Sequence, residues 1–564
     1  MLRRKYSKKE KRESESFMSG VLVLSISTVI VKLIGLAYKI PMLSYLGAEG
    51  MGYFNSAYEI YAMLCVISTA GLPVALSMLV SACRERGDWA QIRRMKHSAL
   101  SLFFFMGAVG SVGMILFSKS IASWIGNEQA APCLIAIAPA LLFVCLSSAF
   151  RGYFQGFHQM TPTAVSQLIE AMGKLAFGIL LATFALRRGW ALPMVSAAAI
   201  FGISLGTLIS TLYLTGVHLY HKGNIKKEHR EDHGQGSPSL LLLIRISIPI
   251  TLSSAVLSVT RLSDMALIMR RLQVLGLSVS EANRIYGTYT TMAIPIFSLI
   301  PALITPVALA LVPQLSAAIE GGAEQRQHAF VERAMKLTAL FSIPAGIGIC
   351  VYAKPILSML FPAEGEAVAV ATPLLSMLGP SIFFSGMITT TNAMLQSYRR
   401  ETLPIVSMTV GALVKMVSAY ILIGIPSVGV MGAPISTFLC NGVVMILNLC
   451  FLRGCFGNKR LPLGLGRVFY KPLLAASVAI AASLPSYAWF FRVTEGEALA
   501  FLFALGVTAI LYFTLIVLLK VLTKEDLSFL PLKRIDKKID KEVTKEISDD
   551  RTRKERDVAE KRKL

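Results

Sequence analysis

Apolar residues along this chain run on for 20 or more positions at a time, with no sustained alternation of the strand type. A membrane-spanning helix needs about 20 consecutive, mostly apolar residues. By that measure the sequence predicts roughly fourteen, near 18–43, 57–82, 98–118, 131–150, 162–186, 191–219, 241–269, 286–317, 334–353, 366–391, 402–424, 428–452, 470–490 and 498–521. Hydrocarbon admits only helices or closed barrels, so the expected fold is an all-α integral membrane protein. Gly107, Gly110 and Gly113, and the pair Gly202 and Gly206, lie inside such runs, where small residues let helices approach closely. The stretch Gly202-Ile203-Ser204-Leu205-Gly206 also matches a nucleophile elbow. No strand precedes it, and helix packing is the better reading.

Composition agrees with lipid as the solvent. The chain is 54% hydrophobic and 16% charged, against about 25% charged for soluble proteins. The formal net charge of +23 does not imply nucleic acid, because the basic residues sit in short loops and in the two tails. If the N-terminus is cytoplasmic, the inside loops hold Arg84, Arg86, Arg93, Arg94, Lys96, Arg151, Lys222, Lys226, Lys227, Arg230, Arg326, Arg333, Lys336, Arg399, Arg400, Arg453, Lys459, Arg460, Arg467 and Lys471. The outside loops hold only Lys119, Arg187, Arg188, Arg270, Arg271, Arg284, Lys354 and Arg492. This bias places both termini in the cytoplasm, although Arg187–Arg188 and Arg270–Arg271 run against it. The first apolar stretch exceeds a signal-peptide core and has no small-residue cleavage site, so it is expected to be a retained helix.

The two halves resemble each other at an offset of roughly 230–240 residues. Lys32-Leu33 with Ala37 recurs as Arg261-Leu262 with Ala266, and Pro73-Val74-Ala75-Leu76 as Pro306-Val307-Ala308-Leu309. Gln155, Ser166 and Lys174 recur as Gln396, Ser407 and Lys415. Repeated halves are the architecture of secondary transporters, with the binding site where the repeats meet. The expected organisation is a basic N-terminus at 1–17, a six-helix lobe at 18–219, a linker at 220–240 and a second six-helix lobe at 241–453. Two further helices follow at 454–522, then a charged tail at 523–564. In that tail Leu532, Ile535, Ile539, Val543 and Ile547 recur at helical spacing.

Ionisable groups at the bilayer centre cost about 2.5–3.5 kcal/mol on insertion scales and mark function by default. Here they are Lys32, Lys39, Glu59, Glu170, Lys174, Arg261, Asp264 and Lys415. Lys39 lies near a predicted helix end, from which a lysine snorkels to the interface. Lys32, Lys174, Arg261 and Lys415 occupy matching places in the two halves and suit an anion, phosphate in particular. The bland alternative is ion pairing within a helix, Glu170 with Lys174 and Arg261 with Asp264. Lys415 has no acid on its own helix, and Lys32 has Glu59 within guessed reach on the next one. The eight cysteines form no CxxC or metal-type spacing. No Walker loop, HExxH or dinucleotide fingerprint occurs, so no cofactor or metal is expected and the chain does not read as an enzyme.

The run Arg151-Gly152-Tyr153-Phe154-Gln155-Gly156-Phe157, then Pro162-Thr163-Ala164-Val165-Ser166-Gln167 and Glu170, resembles polysaccharide transporters of the multidrug/oligosaccharidyl-lipid/polysaccharide exporter superfamily. The stretches Lys39-Ile40-Pro41, Gly50-Met51-Gly52 and Ser68 to Ala75 are similar to its stage V sporulation protein B group, which is close to the lipid II flippases. The resemblance implies fourteen helices, a two-lobed cavity with alternating access, and residence in a bacterial cytoplasmic membrane. It also implies an undecaprenyl-pyrophosphate-linked saccharide as cargo, with membrane lipids and the cell-envelope synthesis machinery as partners. Lipid II flippases carry arginines in the cavity, where this chain has three lysines and Arg261. Some superfamily members bind sodium; Asp264 is available for that, but helix 402–424 offers Lys415 and no carboxylate. The rival expectation, a multidrug/cation antiporter, needs net acid in the cavity. A membrane glycosyltransferase needs an acidic catalytic cluster, for which Asp549 and Asp550 are poor candidates.

Overall fold

The computed structural model of the protein describes residues 2–225, 240–456, 466–494 and 496–521. Among them every regular element is a helix. In chain order these are α1 (Leu2–Thr69), α2 (Leu72–Arg86), α3 (Trp89–Leu116), α4 (Ser118–Trp124), α5 (Ala131–Gly156), α6 (Thr161–Arg187) and α7 (Leu192–Ile225). There follow α8 (Leu240–Val274), α9 (Val279–Thr288), α10 (Ile294–Glu320), α11 (Glu324–Val351), α12 (Ala353–Leu360), α13 (Gly365–Ser397), α14 (Thr402–Ile423), α15 (Gly432–Cys455), α16 (Lys471–Thr494) and α17 (Glu497–Leu518). A π turn, Tyr289–Ala293, joins α9 to α10. Most of the expected linker and the whole repeating pattern of the charged tail lie outside the described residues.

Local chemistry sets several boundaries. Asp88 caps α3 by accepting the Gln91 amide hydrogen, and Ser278 with Glu281 forms a reciprocal capping box on α9. Gly87, with φ of 74°, closes α2 in the left-handed region. The first element begins at Leu2, not near residue 18 as the apolar pattern suggested.

Among the described residues thirteen helices are long and apolar enough to cross a membrane, against the fourteen expected. The difference lies in Ser27–Arg86, a stretch of 60 residues. At about 1.5 Å per residue it is roughly three times as long as the ~30 Å hydrocarbon core is thick. It does not run straight. Gly47 has φ 65° and ψ 174°, a conformation essentially reserved for glycine, and the bend brings the Tyr38 and Phe54 rings to 6.1 Å. Gly47 therefore divides this stretch between the two helices read from the sequence.

Helices α1, α2, α3, α5, α6 and α7 pack into one group and α10, α11, α13, α14 and α15 into another; α8 joins the second through α14 and also packs on α1 and α2. Helices α16 and α17 pair with each other and lean on α11 and α12. Glycines fit α6 to α7: a Cβ on Gly173 would lie 2.6 Å from Gly206 Cα, and one on Gly202 would lie 2.4 Å from the Gly178 nitrogen. Gly107 and Gly110 face Leu142 and Leu141 on α5, but Gly113 faces open space and does not share their packing role.

The repeat is visible in side-chain bonds. Ser166 on α6 donates to the Thr163 carbonyl at 2.7 Å, and Ser407 on α14 donates to the Pro404 carbonyl at 3.0 Å. The outside arginines that opposed the charge bias also find a reason. Arg270 donates to the Trp124 carbonyl, bridging the groups, while Arg271 stacks on Tyr420 at 4.2 Å and Arg188 on Phe184 at 5.2 Å.

Gly47 supplies a clean test, because a Cβ there would meet nothing within 4 Å and only backbone strain is at stake. Gly47→Ala is expected to cost about 1–3 kcal/mol and to lower the melting temperature in detergent. Gly35→Ala, in equally open space but inside regular helix, is expected to be neutral or stabilising. Equal melting temperatures for the two variants would contradict this account of the bend.

Candidate functional site between the helix groups

The bend in α1 places aromatic rings from both sides of Gly47 beside α6. The Lys174 ammonium lies 4.9 Å from the Tyr38 ring centroid and 4.8 Å from that of Tyr58. Ring faces hold a cation by their quadrupole without neutralising it. The expected Glu170–Lys174 pair is not the ion pair that forms. Arg151 on α5 takes Glu170 at 2.8 Å and also donates Nε to Ser166 Oγ at 2.9 Å. Because Glu170 is committed across to α5, Lys174 has no carboxylate within salt-bridge distance among the described residues.

The second expected pair is replaced in the same way. Asp264 on α8 binds Lys415 on α14 rather than Arg261 on its own helix. This supplies the acid that α14 lacks, and it separates Lys415 from Lys174: one matched lysine is paired and the other is not. The Asp264 Oδ1 atom is buried without a hydrogen-bond partner. Arg261 is exposed, as is Lys32 on α1. Lys32, guessed to reach Glu59, interacts electrostatically with Arg261 instead. Glu59 lies within electrostatic reach of Arg261, Lys39, Asp264 and Lys415.

Lys39 departs furthest from expectation. It does not snorkel but donates to the Thr290 carbonyl at 2.7 Å, across the two groups and into the π turn. It lies within electrostatic reach of Lys174 and Glu59. Beside it, Asn55 donates to the hydroxyls of Thr290 at 3.0 Å and Thr291 at 2.8 Å. Asn127 and Asn283 exchange amide bonds of 2.7 and 3.0 Å. Gly52 and Gly287 bring α1 and α9 into backbone contact: a Cβ on Gly287 would lie 1.9 Å from the Ala48 carbonyl oxygen. This seal closes the face that carries the Gly47 bend.

The eight intramembrane ionisable residues read from the sequence thus share one electrostatic neighbourhood between the groups. Lys39, Arg261 and Lys415 lie within electrostatic reach of Glu59, Arg261 and Lys415 also of Asp264, Lys32 adjoins Arg261 and Lys174 adjoins Lys39, with Glu170 engaged by Arg151. The motif residues have a different place. Gly152 and Gly156 seat α5 on α2 against Pro73 and Val80, Pro162 starts α6, and Gln155 and Gln396 lie near the ends of α5 and α13. The position matching Arg151 in the second half is Asn392, which accepts from Asn448 at 2.8 Å while Ser407 donates to Asn448 at 2.6 Å. An ionic tie in one half is a neutral amide tie in the other.

The sequence profile of the polysaccharide biosynthesis protein family matches residues 17–319. The chain belongs to that family. A MatE profile matches residues 289–421. Stage V sporulation protein B of Bacillus subtilis (strain 168) is 24% identical over 92% of this chain and 98% of that relative. Lipid II flippase MurJ of the same organism is 23% identical over 72% of this chain and 77% of its own length. A solved structure of lipid II flippase MurJ in an inward closed conformation superposes with a TM-score of 0.67 at 14% identity, covering 88% of this chain and 98% of that one. The family and the fold together make this a multi-pass membrane protein of the superfamily anticipated from the motifs.

Sequence reasoning missed Tyr38 and Tyr58 as the seat of Lys174 and Asn55, Asn127 and Asn283 as the seal. The one available signal was adjacency: Tyr38-Lys39 and Tyr58-Glu59 each set a tyrosine beside an intramembrane charge. The Asp264–Lys415 tie predicts a measurable coupling. Removing one partner of a largely buried pair costs about 3–5 kcal/mol, so Lys415→Met is expected to destabilise strongly. Asp264→Asn with Lys415→Met is expected to recover most of that loss in thermal unfolding. Additive effects of the two substitutions would show that the pair does not form.

Proposed function

We propose that the protein is a flippase that exports an undecaprenyl-pyrophosphate-linked saccharide, a cell-envelope precursor such as lipid II, by alternating access. The observation that carries this reading is the excess of cations in the neighbourhood shared by the two helix groups, with Lys174 held on aromatic faces and Glu170, paired to Arg151, acting on it only from beyond salt-bridge distance. A diphosphate headgroup offers such cations charge-assisted hydrogen bonds, while the polyprenyl tail stays in lipid. One named relative, a lipid II flippase, supports the cargo class. Both termini are taken as cytoplasmic and the Gly47 face as outward, so the headgroup enters opposite the seal. The MatE match favours one rival, a multidrug or cation antiporter; net acid in the site would suit that cargo, and the charge count runs the other way.

Depleting the protein is expected to accumulate one polyprenyl-pyrophosphate-linked saccharide in the cytoplasmic leaflet, and Lys174→Ala is expected not to relieve it. Losing a hydrogen bond to a charged group costs about 1.5–3 kcal/mol, at least a tenfold loss of transport; Lys174→Arg retains activity. No accumulating lipid, or full complementation by Lys174→Ala, would remove the proposal.

The same reading sets the driving force. An anion leaving a negative interior gains about 2.3 kcal/mol per charge per 100 mV, and the ammonium of Lys415 already occupies Asp264, an acid otherwise available for sodium. Valinomycin with potassium at constant pH is expected to stop flipping, and sodium removal to leave it unchanged. The opposite pattern would restore Asp264 as an ion ligand.

A further inference from the structure

We infer that Lys39 couples occupation of the cationic site to release of the seal, by surrendering the Thr290 carbonyl when an anion binds. This deepens the anion reading above and rests on it. Lys39 is a cation of the cluster that also makes a bond within the seal. Its ammonium donates at 2.7 Å to Thr290, in the π turn whose Thr290 and Thr291 hydroxyls are held by Asn55. A π turn is an interruption of a regular helix, frequent at functional positions, and here it lies where α1 meets the α9–α10 connection.

The forces on that ammonium change sign when the site fills. In the empty site Lys174 repels Lys39, while Glu59 and the Thr290 carbonyl attract it. A diphosphate lodged among the cations replaces the repulsion with attraction, and a charge-assisted bond is roughly twice as strong as one to a neutral acceptor. The lysine stem has four rotatable carbons and three donors to redirect. Once Lys39 turns toward the anion, the π turn loses its charged tie to α1 and keeps only the neutral ones from Asn55. Cargo thereby weakens the face through which it is to leave.

Nitroxide labels on Ser120→Cys and Ser280→Cys, both exposed and on opposite sides of the seal, read its opening by pulsed EPR. The exposed native Cys350 and Cys450 are replaced by serine. With Lys39 intact, farnesyl diphosphate is expected to populate a longer distance and farnesol is not. Lys39→Met is expected to show the longer distance without ligand and to lose the response. Lys39→Gln, uncharged yet able to donate to the Thr290 carbonyl, is expected to keep the short distance and also lose the response, which covers the case in which the methionine variant does not fold. A native response in either variant overturns the coupling while leaving the anion site standing, provided calorimetry shows farnesyl diphosphate bound. Absence of binding to the protein with Lys39 intact overturns both.

Discussion

An ion in hydrocarbon must be neutralised, solvated or put to use, and the arrangement of this molecule follows from how each of its intramembrane charges meets that demand. Arg151 and Glu170 neutralise each other between α5 and α6. Asp264 and Lys415 do so between α8 and α14. Lys174 is cradled by rings, which lower its cost without cancelling its field. Lys39 is satisfied by a carbonyl of the opposite group. The helices are held in register as much by these four solutions as by the apolar packing that surrounds them.

The helices were legible because a run of about 20 apolar residues has few other fates, and the cations because a charge inside such a run stands out. Their partners were not. Linear spacing exposes only neighbours on one helix, i+3 and i+4, whereas the bonds that form join α5 to α6 and α8 to α14. Lys39 was misplaced for a related reason: the predicted helix stopped at residue 43, but the actual one continues to the bend at Gly47, moving Lys39 inward by about a turn. Tyr38 and Tyr58 gave no warning, since an aromatic in an apolar segment looks like core until something charged is found against it.

The two halves share a plan and differ in chemistry. Ser166 and Ser407 keep the same turn, yet Arg151 and Glu170 correspond to Asn392 and Gly411. Where Glu170 would repeat, Gly411 allows α15 to press in, with Val444 and Cys440 against it. At these matched positions one half uses an ion pair and the other a close helix contact. The two halves therefore present dissimilar walls to each other.

The seal has a property that its bonds make plain. Asn55, Asn127, Asn283, Thr290 and Thr291 hold the α1–α9 contact through amides and hydroxyls, and Arg270 touches only its rim. The transmembrane field does work on charges it moves, and these five side chains carry none. Apart from Lys39, whose ammonium binds the Thr290 carbonyl, the contact offers voltage little to act on. The amide and hydroxyl part of this contact is in this sense electrically silent, and any voltage sensitivity of the contact enters through Lys39 and, at its rim, Arg270.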